Sequence, residues 1–247
     1  MPGFERLPLK EVVNEVNSIA ELNIPAVMVF GIPSHKDEKG TSAFANDGIV
    51  QRAISDIRRN LGNEIAIMSD VCLCQYTSAG HCGLVKGDKI DNDSSLETLE
   101  KVAISQAHAG ADVVSPSAMM DGQVKAIRHA LDDAGFSDVA IMSHSAKHRS
   151  SLYSPFKDMA HSAPKFGDRK TYQLPYTNPK EAIREVETDV AEGVDIVMIK
   201  PALAYLDLIA MTRERFNVPI SAYSVSGEYA LVKAAAMHGW IDEKEVT

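Results

Sequence analysis

Apolar residues gather into six short runs: "AVMVFG" (26–31), "IAIMSD" (65–70), "ADVVSPS" (111–117), "VAIMSHS" (139–145), "VDIVMIKP" (194–201) and "VPISAYSV" (218–225). Each run is nearly continuous rather than alternating, the pattern of parallel strands covered on both faces. Amphipathic stretches of helical period lie between them. "SSLETLEKVAISQAHAGAD" opens with a capping-box pattern from Ser94 to Glu97 and stops at Gly110, a residue suited to the left-handed position after a helix. "TNPKEAIREVETDVAEGVD" offers Asn178 as N-cap, Pro179 at the first helical position and Gly193 as the stop,. The repeated order helix–Gly–Asp–strand predicts successive right-handed crossovers in one α/β domain spanning 1–247.

The choice is between an open doubly wound sheet and a (β/α)8 TIM barrel. No G-x-G-x-x-G follows the first strand and there is no P-loop,. Residues able to do chemistry stand at the ends of several strands: Asp70 and Cys72, then Ser117, Lys147, Lys200 and Ser226. Spreading a site over many strand ends is the habit of barrels, so the barrel is expected. Six strands are predicted where a closed barrel has eight. The expectation is therefore a barrel lacking its first and last strands, which would leave one contiguous gap with exposed edges.

Composition narrows the partners. The formal charge of −9 argues against a general binder of nucleic-acid backbones, which needs a basic footprint. No apolar run reaches the roughly 18 residues of a membrane span. "MPGFERLPLK" lacks a signal-peptide apolar segment,. A cytoplasmic enzyme acting on small molecules is the expectation, with no nucleic acid and no membrane.

All three cysteines fall in "DVCLCQYTSAGHCG" (70–83), as Cys72, Cys74 and Cys82. In an extended strand end the first two would share a face, and Gly80 and Gly83 let the chain turn the third back. Three thiolates leave a fourth zinc position open, the arrangement of a catalytic site. The spacing also allows three reduced, half-buried thiols that simply pack. His81, beside Cys82, is a further candidate ligand or supporting donor.

Lys147 and Lys200 end apolar runs, where a charged amine is expensive. Burial or a second cation lowers a lysine pKa and frees the amine to form an imine with a carbonyl. Taken alone, each reads rather as paired with a buried carboxylate or reaching to solvent; two at one barrel mouth shift the balance towards imine chemistry. The stretch between them, 148–179, exceeds the usual length of a structureless loop and suits a lid. Lys157, Arg169 and Lys170 there could meet a substrate carboxylate, with Tyr153 and Gln173 as neighbours,. His144 and His148 flank Lys147 and could shuttle protons.

Taken together, "DVCLCQYTSAGHCG", "PSAMMDGQV", "SHSAKHRSSLYSPFKDMA", "FGDRKTYQLP", "DIVMIKPALAYLDL" and "SVSGEYALVKAAA" closely resemble the porphobilinogen synthase (5-aminolevulinate dehydratase) family over essentially all 247 residues. The resemblance implies a TIM-barrel hydro-lyase of tetrapyrrole (haem) biosynthesis that condenses two 5-aminolevulinate molecules and releases two waters. It implies Lys200 and Lys147 as the imine-forming lysines of the propionate-side and acetate-side substrates. It makes Asp70 an active-site carboxylate, and Cys72, Cys74 and Cys82 the ligands of a catalytic zinc. Arg169 and Gln173 match acetate-side contacts and Ser226 a propionate-side contact; Tyr153 and Lys157 complete the substrate-binding set. Glu185 matches a ligand of an allosteric magnesium, and the family assembly is a homo-octamer built through an N-terminal arm that this chain lacks. Lys157 departs from a common arginine, Ala118 from an acidic residue, Gln123 from an arginine, and His144 and His148 from positions often aromatic. A Schiff-base aldolase on the same barrel, or an inactive metal-binding fragment, would leave one or more of these features unused.

Overall fold

A computed structural model describes residues 3–246. Six strands form one parallel sheet: β1 (Ala26–Val29), β2 (Ala66–Val71), β5 (Val113–Pro116), β6 (Ala140–Lys147), β7 (Ile196–Lys200) and β8 (Ile220–Ala222), side by side in that order. A two-stranded antiparallel hairpin, β3 (Leu84–Lys86) and β4 (Lys89–Asp91), interrupts the alternation between β2 and β5. The helices are α1 (Val12–Glu21), α2 (Ile49–Leu61), α3 (Asn92–Ala109), α4 (Gln123–Asp133), α5 (Ser154–Met159), α6 (Pro179–Ala191), α7 (Leu206–Arg215), α8 (Ser226–Met237) and α9 (Glu243–Val246). β1 and β8 are the two edges of the sheet, and among the described residues no strand pairs beyond either. None of the described helices is long and apolar enough to cross a membrane.

The six predicted strands all form, with four trimmed, while β2 runs on to Val71 and β6 to Lys147. The helix–Gly–Asp–strand repeat has a physical meaning. Asp112 and Asp195 stand just before β5 and β7. Each donates its backbone N–H to a residue of the preceding sheet strand, Ile67 (2.9 Å) and Ile141 (3.0 Å) respectively. The carboxylate of each accepts the N–H of that same residue, at 2.7 and 2.8 Å. Asp112 is also gripped by Arg58 of α2 at 2.6 Å, tying a helix to the same junction. Each aspartate thus sets the register where its strand begins.

Helix ends follow the sequence at three of four predicted points. Asn178 caps α6 through the Glu181 N–H, with Pro179 at the first helical position. Gly110 takes the left-handed conformation that ends α3 (φ 107°). Gly193 does the same after α6 (φ 93°). The start of α3 differs: Asp91 is the cap, accepting the Ser94 N–H at 3.3 Å and the Ser94 hydroxyl at 3.1 Å. The helix begins earlier because the hairpin delivers Asp91 in extended geometry, and Ser94 becomes a first-turn residue.

The principal core lies between the sheet and its covering helices, with Leu99, Val114, Ile127, Leu131, Ile141, Val186, Val197 and Ile199 fully buried. A separate cluster occupies the concave interior of the sheet, around Val113, Met142 and Met198 with Met28, Met68, Ile196 and Tyr223 packed against it. Methionine is unbranched and fills such irregular space. This layer floors the site described next.

Candidate active site and metal centre

The candidate residues collect at the C-terminal ends of the parallel strands. Asp70 is the penultimate residue of β2, Lys147 the last of β6 and Lys200 the last of β7. Lys147 and Lys200 are register partners, so two lysines stand side by side across one ladder. The pairing of β6 with β7 shifts register between Ser143 and Ala146. A bulge of this kind re-aims side chains near functional sites.

The two amines have different surroundings. Lys147 Nζ donates to the Ser117 carbonyl at 2.6 Å. Lys200 Nζ rests 3.7 Å from the centre of the Tyr223 ring and 5.7 Å from that of Tyr153. Burial, reinforced by Lys147, pulls the Lys200 pKa down to about 7, against the opposing pull of Asp70. Burial raises the Asp70 pKa, against the Ser117 hydroxyl and then the pull of Lys147 and Lys200. Its Oδ2 accepts from Gln75 at 3.4 Å. A half-neutral amine thus faces a carboxylate whose proton is held more tightly than usual.

A small cavity is lined by Asp70, Cys74, Ser117, Lys147, Lys157, Arg169 and Lys200. It adjoins a cavity of about 400 Å³ that shares Lys200, Tyr153, Phe30 and Phe156 and adds Ser226. That volume lies in the range of small-molecule sites. The Tyr153 hydroxyl donates to the His148 carbonyl at 2.7 Å, fixing the ring between the two cavities. Ser226, at the start of α8, donates to the Leu152 carbonyl and accepts the Phe156 N–H, both at 3.1 Å.

Cys72 and Cys74 lie just past the end of β2 rather than in extended strand geometry, and Cys82 lies just before β3. They still converge: their sulfurs lie within 4.8 Å of one another, and Cys72 and Cys74 are 3.4 Å apart. All three are buried, reduced and able to hold one metal ion. Hydrogen bonds from Cys72 and Cys74 hold the Cys82 thiol well below its ordinary value, with Arg169 and Lys147 adding positive charge. Such a thiol reaches the thiolate form a metal requires more easily than an isolated buried one.

His81 stands in the supporting one of the two places expected for it, since Tyr172, which it contacts, also accepts the Cys82 N–H at 3.4 Å. Its Nδ1 lies 3.0 Å from the Tyr172 hydroxyl and its Nε2 3.0 Å from the Phe166 carbonyl. Both nitrogens contact the lid, so His81 fastens the lid to the cysteine loop. The lid itself is partly helical: α5 lies within it, and Lys165 N–H donates to the Ala79 carbonyl at 2.9 Å. Gly80 (φ +73°) is needed beneath it, because a Cβ there would sit 2.3 Å from the Ala163 carbonyl oxygen. Arg169 donates to the Gly80 and Ser162 carbonyls, carrying its charge from the lid to the cavity.

Three predicted residues, Gln173, Glu185 and Lys170, lie outside the two cavities that Lys200 lines. Gln173 is buried and lines an adjoining groove together with Glu185 of α6 and Lys170. Lys170 pairs with Asp168 at 2.9 Å on the surface. The Glu185 pKa is raised by burial and by Asp121 and Asp189. Among the described residues it joins no group of three metal-competent side chains. Tyr223, Phe30, Phe156 and Gln75 were not anticipated. Of these, Tyr223 and Phe30 carried a signal, each an aromatic residue near the end of a predicted strand.

The family model for Delta-aminolevulinic acid dehydratase matches residues 1–247. A Delta-aminolevulinic acid dehydratase of Archaeoglobus fulgidus is 52% identical over 246 residues, covering 100% of this chain and 76% of that protein. One from Bacillus subtilis is 50% identical over 246 residues, with the same coverage of both chains. The solved delta-aminolevulinic acid dehydratase (porphobilinogen synthase) of Toxoplasma gondii, in complex with its reaction product porphobilinogen, superposes with a TM-score of 0.97. It is 43% identical, and the match covers 100% of this chain and 71% of that one.

Proposed function

This chain belongs to the delta-aminolevulinic acid dehydratase family, a family of lyases, and from that premise we propose that it condenses two 5-aminolevulinate molecules into porphobilinogen through imines on Lys200 and Lys147, with zinc on Cys72, Cys74 and Cys82. The observation that carries this reading is the register pairing of the two lysines at adjacent strand ends, over a cavity that also takes in Asp70 and Cys74.

The neutral amine of Lys200 attacks the ketone carbon of one substrate; a C–N bond forms and the carbonyl oxygen leaves as water. Burial and the neighbouring Lys147 supply the neutral amine near pH 7,. Lys147, steered by its hydrogen bond to Ser117, holds the second substrate in the same way. Asp70 is positioned to move protons between carbon, nitrogen and departing oxygen. Lys157 and Arg169 provide cations for a substrate carboxylate, with Gln173 in the adjoining groove; Ser226 and Tyr153 line the second cavity. The three-thiol set suits zinc, which when bound polarises oxygen and nitrogen groups.

Magnesium at Glu185 is a second part of the proposal. A cation there would relieve the repulsion from Asp121 and Asp189. Magnesium should raise activity in the parent protein and not in Glu185→Gln. The chain is read as one incomplete catalytic barrel domain spanning 1–247 that associates with copies of itself, the family assembly being an octamer, and its own assembly is to be measured by sedimentation.

The imine reading is tested by treating the zinc-loaded protein with 5-aminolevulinate and borohydride, then mapping the adduct by mass spectrometry. Labelling of Lys200, lost in Lys200→Ala, is expected, together with a pyrrole product. No adduct on either lysine would overturn the reading. Carbon–carbon cleavage without a pyrrole would favour an aldolase.

A further inference from the structure

Lys36 stands in the loop that follows β1, and its amine donates to the His161 carbonyl of the lid at 2.6 Å. The footing of this lysine is firm. Its neighbour Asp37 donates its backbone N–H to the Tyr76 carbonyl at 3.3 Å and accepts the Ser78 N–H at 2.8 Å, pinning the loop to the cysteine turn. The Asp37 carboxylate accepts the Lys39 and Thr41 N–H groups at 2.9 and 3.1 Å, which folds the loop back on itself.

At the other end of the bond the lid holds a strained shape. The Ser162 N–H donates to the Lys157 carbonyl at 3.0 Å and the His161 N–H to the Asp158 carbonyl at 3.3 Å. This pair of bonds closes a helix, here α5, around a left-handed residue. That residue is His161, at φ 49°. Glycine takes this conformation freely, whereas a residue with a Cβ keeps it only when its surroundings hold it there. The His161 carbonyl is the one that Lys36 grips.

The next carbonyl along, that of Ser162, accepts from Arg169 Nη2, which also donates to the Gly80 carbonyl at 3.1 Å. One nitrogen makes both bonds. Arg169 Nε is buried without a partner in the protein, and Arg169 lines the cavity with Asp70, Lys147 and Lys200. The guanidinium is thus anchored at one corner, and the turn at His161 and Ser162 sets where that anchor lies.

We propose that Lys36 is a positioning residue for Arg169: it clamps the left-handed turn that carries the Ser162 carbonyl, and so holds the guanidinium ready for a substrate carboxylate. This rests on the reading of Arg169 as a carboxylate contact. Lys36 lines neither of the two cavities beside Lys200, so its effect passes through the lid. A carboxylate contact is made alike before and during the reaction, so its loosening weakens binding and leaves the chemical step alone.

The test uses the zinc-loaded protein. It compares Lys36→Met, which keeps the apolar stem and removes the donor, with Lys36→Arg, which restores a donor. Steady-state pyrrole formation gives kcat and KM. Trypsin cleavage after Lys165 and Arg169 without substrate, read by mass spectrometry, reports how firmly the lid is fastened. In Lys36→Met, KM should rise about fivefold, the worth of one hydrogen bond, with kcat and the melting temperature nearly unchanged and lid cleavage faster. Lys36→Arg should recover most of the loss. Arg169→Lys should itself raise KM, and in that background Lys36→Met should add little more, because one residue acts through the other. An unchanged KM in Lys36→Met would overturn the proposal, even with a lid cut faster. So would a full further rise in KM in the Arg169→Lys background, which is what an independent effect on the fold gives. No rise in KM in Arg169→Lys alone would instead overturn the reading of Arg169 as a carboxylate contact.

Discussion

Residue by residue, the site depends on side chains that would each be costly alone and become useful together. Three buried sulfurs within 4.8 Å of one another have little reason to be there except to share an ion. Cys74→Ala should therefore lower bound zinc and activity together, measured by metal analysis of the purified protein. Zinc retained at full occupancy with activity lost would show that the ligand assignment is wrong. Lys157 is a point charge beside Arg169, and burial lowers its pKa. An arginine there would offer a planar, permanently charged fork to a carboxylate. Lys157→Arg should accordingly lower KM several-fold with kcat nearly unchanged, in steady-state assays of pyrrole formation. The lysines and cysteines were legible in the sequence because strand ends and clustered thiols carry their own pattern. The commitment of His81 to Tyr172 and Phe166 was not: adjacency to Cys82 suggested a ligand or a supporting donor, while its partners lie about 90 positions away.

Among the elements, the six sheet strands were legible because burial on both faces writes long apolar runs. The hairpin β3–β4 was missed, since three-residue strands are too short to show a period. The start of α3 was misread for the same reason, as its cap is the last residue of that hairpin. The aspartate junctions explain why helix–Gly–Asp–strand recurs. Asp195→Ala leaves the Ile141 N–H without its carboxylate partner and should destabilise the fold by about 1–3 kcal/mol in denaturant titration. Asp195→Asn, which keeps an acceptor oxygen, should cost less. Asp189 of α6 makes a pH-dependent contribution of opposite sign to the usual carboxylate. Burial raises its folded pKa to about 6 from an ordinary 3.8. The folded state therefore holds the proton more tightly, so this group's contribution is fully present below about pH 4 and is lost as pH rises through about 6. Asp189→Asn should flatten that part of the stability-versus-pH curve, measured by thermal melts between pH 4 and 7.

For the whole molecule, the sheet is curled and its two edges, β1 and β8, pair with nothing further among the described residues. The expected barrel geometry is present, and the solved relative superposes along the full chain. The outer surface near α8 is apolar as well, with Leu231, Met237 and Trp240 exposed, the last at 75%. Patches of this kind mark association surfaces. Trp240 is the single tryptophan of the chain, so its fluorescence reports that surface directly. Dilute protein should show red-shifted emission readily quenched by iodide. Assembly over α8 should shift the emission to the blue and protect it, with sedimentation recorded in parallel. The strand order also bears on how the protein is made. Position across the sheet follows position along the chain, so each strand can pair with one already synthesised as it leaves the ribosome,. The thiol loop after β2 emerges first, Lys147 next and Lys200 last. The metal cradle is therefore translated before either amine, and the pair of lysines is completed only when β7 emerges.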